Sequence, residues 1–169
     1  SETLVRFSST KDAENPARLD TTLDAPCGDV PTVLFGCRPC DARGFVVLDR
    51  PYVEGRFKDP YYAARREALV IIAQACPTAF STCFCHWVGG SPAGREGSDI
   101  LFTGVDGGFV LESVTEKGAK LLEAAGFASG EDRRNEAEAA HRKAEASLGA
   151  PSTLENIPAR VAARFRDEA

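Results

Sequence analysis

The sequence predicts an α/β or α+β domain: a mixed sheet with flanking helices, one hairpin at 99–114 and a helical C-terminal tail. Three observations carry this. Two short runs, "PTVLFGC" (31–37) and "ALVIIAQAC" (68–76), are continuous and β-branched, as buried strands are. Segments of helical pattern are interleaved with them, which is the alternation expected of a sheet layered with helices. Finally, Asp106-Gly107-Gly108 joins two strand-like runs in "DILFTGVDGGFVLESV", and those residues accept the backbone that a tight hairpin demands.

Taken in order, Leu4-Val5-Arg6-Phe7 reads as a short strand. A long polar loop with Pro16, Pro26 and Gly28 follows it. The run at 31–37 reads as a buried strand that feeds, through Cys40, a helix with Asp41 as its N-cap and Phe45, Val46 and Leu48 as its apolar face. "DPYY" favours a turn and "AARRE" a short helix. The run at 68–76 is the most apolar in the chain and reads as a central strand that delivers Cys76 into a cysteine-rich loop. In "GGSPAGREGS" the glycine, proline and serine content rules out regular structure. After the hairpin, Thr115 caps "EKGAKLLEAAGF", which Gly126 stops. Residues 130–148 are charged, with Ala137, Ala140, Ala144 and Leu148 as a thin apolar stripe that packs weakly unless something covers it. In the last segment Ile157, Val161 and Phe165 recur every four residues. The organisation expected is one α/β domain at 1–128 and a helical tail or linker at 129–169.

Composition narrows the function. Over 169 residues, 43% are hydrophobic, enough for a real core, and the net charge of −5 with scattered cations argues against a nucleic-acid partner. No apolar run is long enough to span a bilayer and no signal peptide precedes the domain, so the expectation is a soluble cytoplasmic chain with no membrane insertion. In a reducing compartment, clustered cysteines are more often metal ligands or redox groups than structural disulfides. The chain has six cysteines and no methionine, even at position 1, which points to a processed chain or an excised fragment.

Both apolar runs end at cysteines, one at Cys37 and Cys40 and the other at Cys76, Cys83 and Cys85. If the two strands end on the same sheet edge, Cys40, Cys76, Cys83 and Cys85 come together as C-x35-C-x6-C-x-C. Four thiolates around one point suit a [4Fe-4S] cluster or a tetrahedral zinc, and this spacing belongs to neither bacterial ferredoxins nor zinc ribbons. Phe80, Phe84, Trp87 and nearby glycines favour iron, because an apolar shell with free backbone N–H groups tunes a cluster. A Cys-x-Cys pair is also strained on one ion, whereas a cube offers each thiol its own iron. The alternatives are a structural zinc in a partner-docking domain, a thiol–disulfide pair at Cys83 and Cys85 resolved by Cys76, and inert packing.

Other residues carry less. Cys27 and Cys37 read as structural, His86 as a loop histidine with an ordinary hydrogen bond, and His141 as solvated. Arg65-Arg66 and Asp59 read as a solvated helix face. Gly89-Gly90 opens no helix after a strand, so a dinucleotide site is not supported, and no Ser-His-Asp set suggests a hydrolase.

"VLFGCRPCDARGFVVLDR", "DPYYAARRE" and "CPTAFSTCFCHWVGGSP", followed by a strand pair with "DGGFVLE", resemble the iron–sulfur electron-transfer subunits that include the beta subunits of cytoplasmic [NiFe] hydrogenases (sulfhydrogenases) and the A subunit of anaerobic sulfite reductase. The likeness runs from about residue 31 to 128. It implies one [4Fe-4S] cluster on Cys40, Cys76, Cys83 and Cys85, with Cys27 and Cys37 as non-ligands. It also implies a component of an oxidoreductase complex, not itself catalytic, that works with flavin-bearing and catalytic subunits. The parent complex would reduce sulfite or polysulfide, or oxidise hydrogen. Members of that family continue into a ferredoxin-like module, which implies that this chain is an excised domain. Cys37 departs from the pattern, since an aliphatic residue is expected there.

Overall fold

The computed structural model describes residues 5–15, 17–24, 30–149, 159 and 162–164. Leu4, Pro16, Pro26, Cys27, Gly28 and the apolar repeat Ile157, Val161 and Phe165 lie outside the described residues. A separate antiparallel ribbon of β1 (Arg6–Lys11) and β2 (Leu19–Asp24) precedes a mixed four-stranded sheet. That sheet has the order β3 (Thr32–Cys37), β4 (Leu69–Gln74), β5 (Ile100–Val105), β6 (Gly108–Ser113), with β3, β4 and β5 parallel and β6 antiparallel. The helices are α1 (Pro39–Asp49), which runs on into a π-helical turn at Arg50–Glu54, α2 (Pro60–Ala68), α3 (Glu116–Ala125) and α4 (Arg134–Ala146). The architecture is α/β.

The long polar loop expected before residue 30 is in part a hairpin. The Asp12 carboxylate accepts from the N–H groups of Glu14 and Asn15 at 2.7 and 3.1 Å, a local turn that sends β2 back along β1. A strand with no buried face has no apolar alternation to announce it, and both strands of this ribbon are exposed throughout.

Burial also corrects the reading of β3. The run at 31–37 is an edge strand rather than a buried one, with Val33 and Phe35 exposed. β4, by contrast, is central as predicted. Its Ile71 and Ala73 are fully buried, together with Leu101 of β5 and Ala42 of α1, in a core completed by Ala75 and Ala93. Complete burial of an Ile or Leu side chain contributes about 1.5–3 kcal/mol, so this layer between α1 and the sheet anchors the whole domain.

Asp99 closes the fold from below. Its buried carboxylate accepts from the Ile71 N–H at 2.9 Å and from the Thr115 hydroxyl at 2.6 Å, tying β4 to the start of α3. Thr115 in turn accepts from the Gly118 N–H at 3.2 Å, and the chain turns left-handed at Gly126, so α3 begins and ends where the sequence predicts. The hairpin forms as expected, with its turn at Asp106-Gly107.

"DPYY" and "AARRE" are one helix. Asp59 caps it by accepting from the Tyr61 and Tyr62 N–H groups, both at 2.9 Å, so Asp59 is a cap and not part of a solvated face. Arg66 is also occupied: it pairs with Asp49 of α1 at 3.1 Å, and Tyr62 donates to the same carboxylate at 2.7 Å. Burial, with help from Asp49, pushes the Tyr62 phenol up to about 12, so it stays protonated as a donor.

The stripe on α4 finds its cover inside the chain. Ala137 and Ala144 are buried, Ala140 and Leu148 are half-buried, and the helix lies against β5. His141 is half-buried rather than solvated, because its Nε2 is 2.7 Å from the Thr103 hydroxyl on β5. Among the described residues no helix is long and apolar enough to cross a membrane.

Candidate metal centre

Parallel pairing decides where the cysteines go. Because β3 and β4 run the same way, with Cys37 opposite Ala73, both strands deliver their following loops to the same sheet edge. This carboxyl edge is where open α/β sheets place their ligands.

The first loop is short. Arg38 is the N-cap of α1, in extended conformation, and Pro39 occupies the first helical turn, where its lack of an N–H costs nothing. Asp41 is therefore not the cap expected from the sequence. It sits in the first turn, three residues after the cap, and its carboxylate accepts from the Arg38 N–H at 3.1 Å. A carboxylate at that position reaches back to a backbone donor that the helix start leaves unpaired. Cys40 is thereby placed in the first turn of a fixed helix, exposed at the sheet edge.

The second loop is long and nearly without regular structure; only a 3₁₀ turn at Cys85–Val88 interrupts it. It is held bond by bond. The Cys76 N–H donates to the Pro92 carbonyl at 2.9 Å, the Cys83 N–H to Phe80 O at 2.9 Å, and the Gly90 N–H to Cys85 O at 2.8 Å. The Phe80 N–H in turn points at the Cys83 sulfur, 3.2 Å away. Amide donors aimed at ligand sulfurs tune the potential of a cluster.

Two groups outside the loop clamp it. Arg43 of α1 donates to the Val88 carbonyl and pairs with Glu96 at 2.7 Å. At the end of α4, the Ser147 hydroxyl accepts from the Ala79 N–H at 2.7 Å. Gly97 lets the loop return close over α1: its φ is +85°, and a Cβ there would lie 2.1 Å from the Ala42 carbonyl oxygen. Only glycine fits both conditions.

Cys40, Cys76, Cys83 and Cys85 all line one cavity of about 470 Å³, whose walls include Arg38, Asp41, Phe80, Phe84 and, from beyond α4, Leu148. The sequence-predicted ligands are thus brought together, and Cys37 is not among the lining residues. Among the described residues no group of three or more His, Cys, Asp or Glu side chains is arranged to hold a metal ion. Four thiols lining one cavity are the kind of donor set that a cluster would take.

All five described cysteines are free. Burial raises the thiol pKa of Cys40, and the Asp41 carboxylate and Cys76 raise it further. Burial likewise raises that of Cys85, with Cys83 and Cys76 adding to it and a backbone hydrogen bond opposing. Cysteine ligands bind a cation as thiolates, so loading the site would release protons from Cys40 and Cys85.

His86 departs from expectation. Both of its ring nitrogens are buried without a hydrogen-bond partner, and the ring packs edge-on against Trp87. Around the cavity Phe80, Phe84 and Val88 stay largely exposed. Sequence reasoning missed the clamps, Arg43 and Ser147, and the lining residues Arg38 and Leu148. For Leu148 the signal was its place on the α4 stripe; for Arg43 and Ser147 nothing local marks them.

Comparison with family models, with curated proteins and with solved structures finds no match to this chain. The class it defines rests on its own geometry: a mixed α/β domain with a four-cysteine cavity at the carboxyl edge of its parallel strands.

Proposed function

We propose that this domain binds one [4Fe-4S] cluster on Cys40, Cys76, Cys83 and Cys85 and serves as an electron-transfer component of an oxidoreductase complex. One observation carries the reading: four thiols from two separate loops line a single cavity of about 470 Å³. When bound, such a cluster accepts and passes on single electrons at a potential that its surroundings set.

The chain's own residues would do the rest. The four cysteines hold the cluster. The Phe80 N–H on Cys83 stabilises negative charge on that sulfur. Phe80, Phe84 and Leu148 limit water at the cavity wall, and Arg38 offers a cation beside a group of net negative charge. The exposed apolar rim of Phe80, Phe84 and Val88 supplies surface for a partner close to the site.

The wider setting follows the resemblance. The partners would be flavin-bearing and catalytic subunits with a ferredoxin-like module, the compartment the cytoplasm, and the terminal reaction that of a hydrogenase or a sulfite reductase type complex.

The test is anaerobic reconstitution with iron and sulfide, followed by metal and acid-labile sulfide analysis, visible absorbance and EPR after dithionite, on the wild type and on Cys83→Ala. A brown protein with about four irons and four sulfides per chain, whose EPR signal is lost or altered in Cys83→Ala, is the expected result. A colourless protein that retains stoichiometric zinc would overturn the electron-transfer reading and make this a structural docking domain.

A further inference from the structure

Cys37 stands outside the cavity, yet it is not an inert filler. "CRPC", residues 37–40, is a Cys-x-x-Cys motif between a strand and a helix inside a β3–α1–β4 unit, the setting in which such a pair reads as a redox dithiol.

The backbone turns Cys37 to the face of the sheet that α1 covers, and α1 carries Cys40. Gly36, at φ +80°, interrupts the β3 register: Phe35 lies opposite Ile72 and Cys37 opposite Ala73, so two steps on β3 match one on β4. In an unbroken strand Cys37 would share the face of Phe35, pointing away from α1. The extra residue turns it to the face of Ala73, where it packs against the core that contains Ala42 of α1. Cys40 leaves the first turn of that same helix. Between the two cysteines, Arg38 is extended and Pro39 has its φ set by its ring, so the turn separating them is fixed. Cys40 is exposed, Cys37 is half-buried, and both are free.

We propose that Cys37 and Cys40 form a redox-active dithiol that exchanges with small-molecule disulfides. The exposed Cys40 thiolate attacks one sulfur of a disulfide RSSR, forming a Cys40–SR mixed disulfide and releasing RS⁻. The Cys37 thiolate then attacks Cys40 Sγ, the Cys40–SR bond breaks, and a second RS⁻ leaves. The two RS⁻ take up the two protons that the protein thiols gave up. The protein is oxidised by two electrons to a Cys37–Cys40 disulfide, and RSSR is reduced to two RSH. Because Cys40 also lines the four-cysteine cavity, oxidation removes one of its thiols; this consequence alone rests on the function proposed above.

The experiment uses the whole chain, reduced, desalted under argon and treated with oxidised glutathione, followed by alkylation and peptide mapping by fragment-ion mass spectrometry. Wild type should lose the Cys37 and Cys40 thiols together, while Cys76, Cys83 and Cys85 remain alkylated. Cys37→Ser should stop at a glutathione adduct on Cys40, and Cys40→Ser should react at least tenfold more slowly. First appearance of a Cys40–Cys76 or Cys83–Cys85 disulfide in the wild type would overturn the proposal, as would the same two-thiol loss in Cys37→Ser. The oxidised and reduced proteins are then offered iron and sulfide. At least tenfold less uptake by the oxidised form supports the link to the cavity, and equal uptake overturns that link. If the disulfide forms but neither state takes iron, the cluster reading fails while the exchange chemistry stands.

Discussion

The two loops that meet at the cysteine cavity are built on opposite principles. The first places Cys40 with three residues of local chemistry: an extended Arg38, a ring-fixed Pro39 and a carboxylate at Asp41 that reaches back to the Arg38 N–H. The second carries Cys76, Cys83 and Cys85 through a long stretch with one 3₁₀ turn, and groups from elsewhere in the chain hold it, Arg43 on α1 and Ser147 after α4. The first loop is fixed by contacts among near neighbours in the sequence. The second adds to its own internal hydrogen bonds two clamps from distant residues, so its disruption should be reachable from a distance.

The largest effect should come from Gly97→Ala. A Cβ at that position meets the Ala42 carbonyl at 2.1 Å on a left-handed backbone, adding a conformational cost of about 1–2 kcal/mol to overpacking of about 1–3 kcal/mol. Urea unfolding should show a fall of that size. Unchanged stability would mean that the second loop does not depend on its seat against α1.

Arg43→Ala sharpens the contrast. It removes the donor to Val88 and the pair with Glu96 while leaving the Asp41 bond intact, for a loss of about 1–2 kcal/mol. Hydrogen exchange should quicken at 85–96 and stay unchanged in the first turn of α1. Equal opening of both loops would show that they are one cooperative unit.

The smallest effect is a pH dependence on α4, the helix that ends beside the Ser147 clamp. Burial and then Arg95 lower the His141 pKa, against Glu112, Glu145 and Glu138, which raise it. A histidine whose folded pKa lies below its unfolded value of about 6.5 binds fewer protons folded than unfolded. Its contribution is complete above that value and is lost as pH falls through the folded pKa. The melting temperature of wild type should fall further between pH 7.5 and pH 5 than that of His141→Gln; parallel falls would remove His141 from the account.

Legibility followed the range of the interactions. β4 announced itself by an unbroken apolar run, the β5–β6 hairpin by Asp106-Gly107, and α3 by Thr115 and Gly126, because each signal lies within a few residues of what it causes. The errors lie where partners are distant. β3 and β4 have similar composition, but β4 has neighbours on both sides while β3 borders solvent. Asp41 has the chemistry of a cap and serves three residues after the cap position, within the first turn, since Pro39 already starts the helix. His141 sits in a charged segment that reads as solvated, and only Thr103 across the fold gives it a partner. The spacing groups Cys40, Cys76, Cys83 and Cys85 as a set, and the four line one cavity, yet nothing in the sequence hints that Arg43 and Ser147 clamp the loop beside it.

By itself the sequence singled out Cys40, Cys76, Cys83 and Cys85 as a set, and determined where β4, the hairpin and α3 lie and that two cysteine loops follow two apolar strands. Only the tertiary structure decided that β3 and β4 pair in parallel, so that both loops leave from one edge. It also decided that a one-residue bulge at Gly36 turns Cys37 toward the helix bearing Cys40. The physical reason is that periodicity and capping report energies between near neighbours along the chain. Strand pairing and loop clamping are contacts between distant residues, and they acquire partners only when the core has formed.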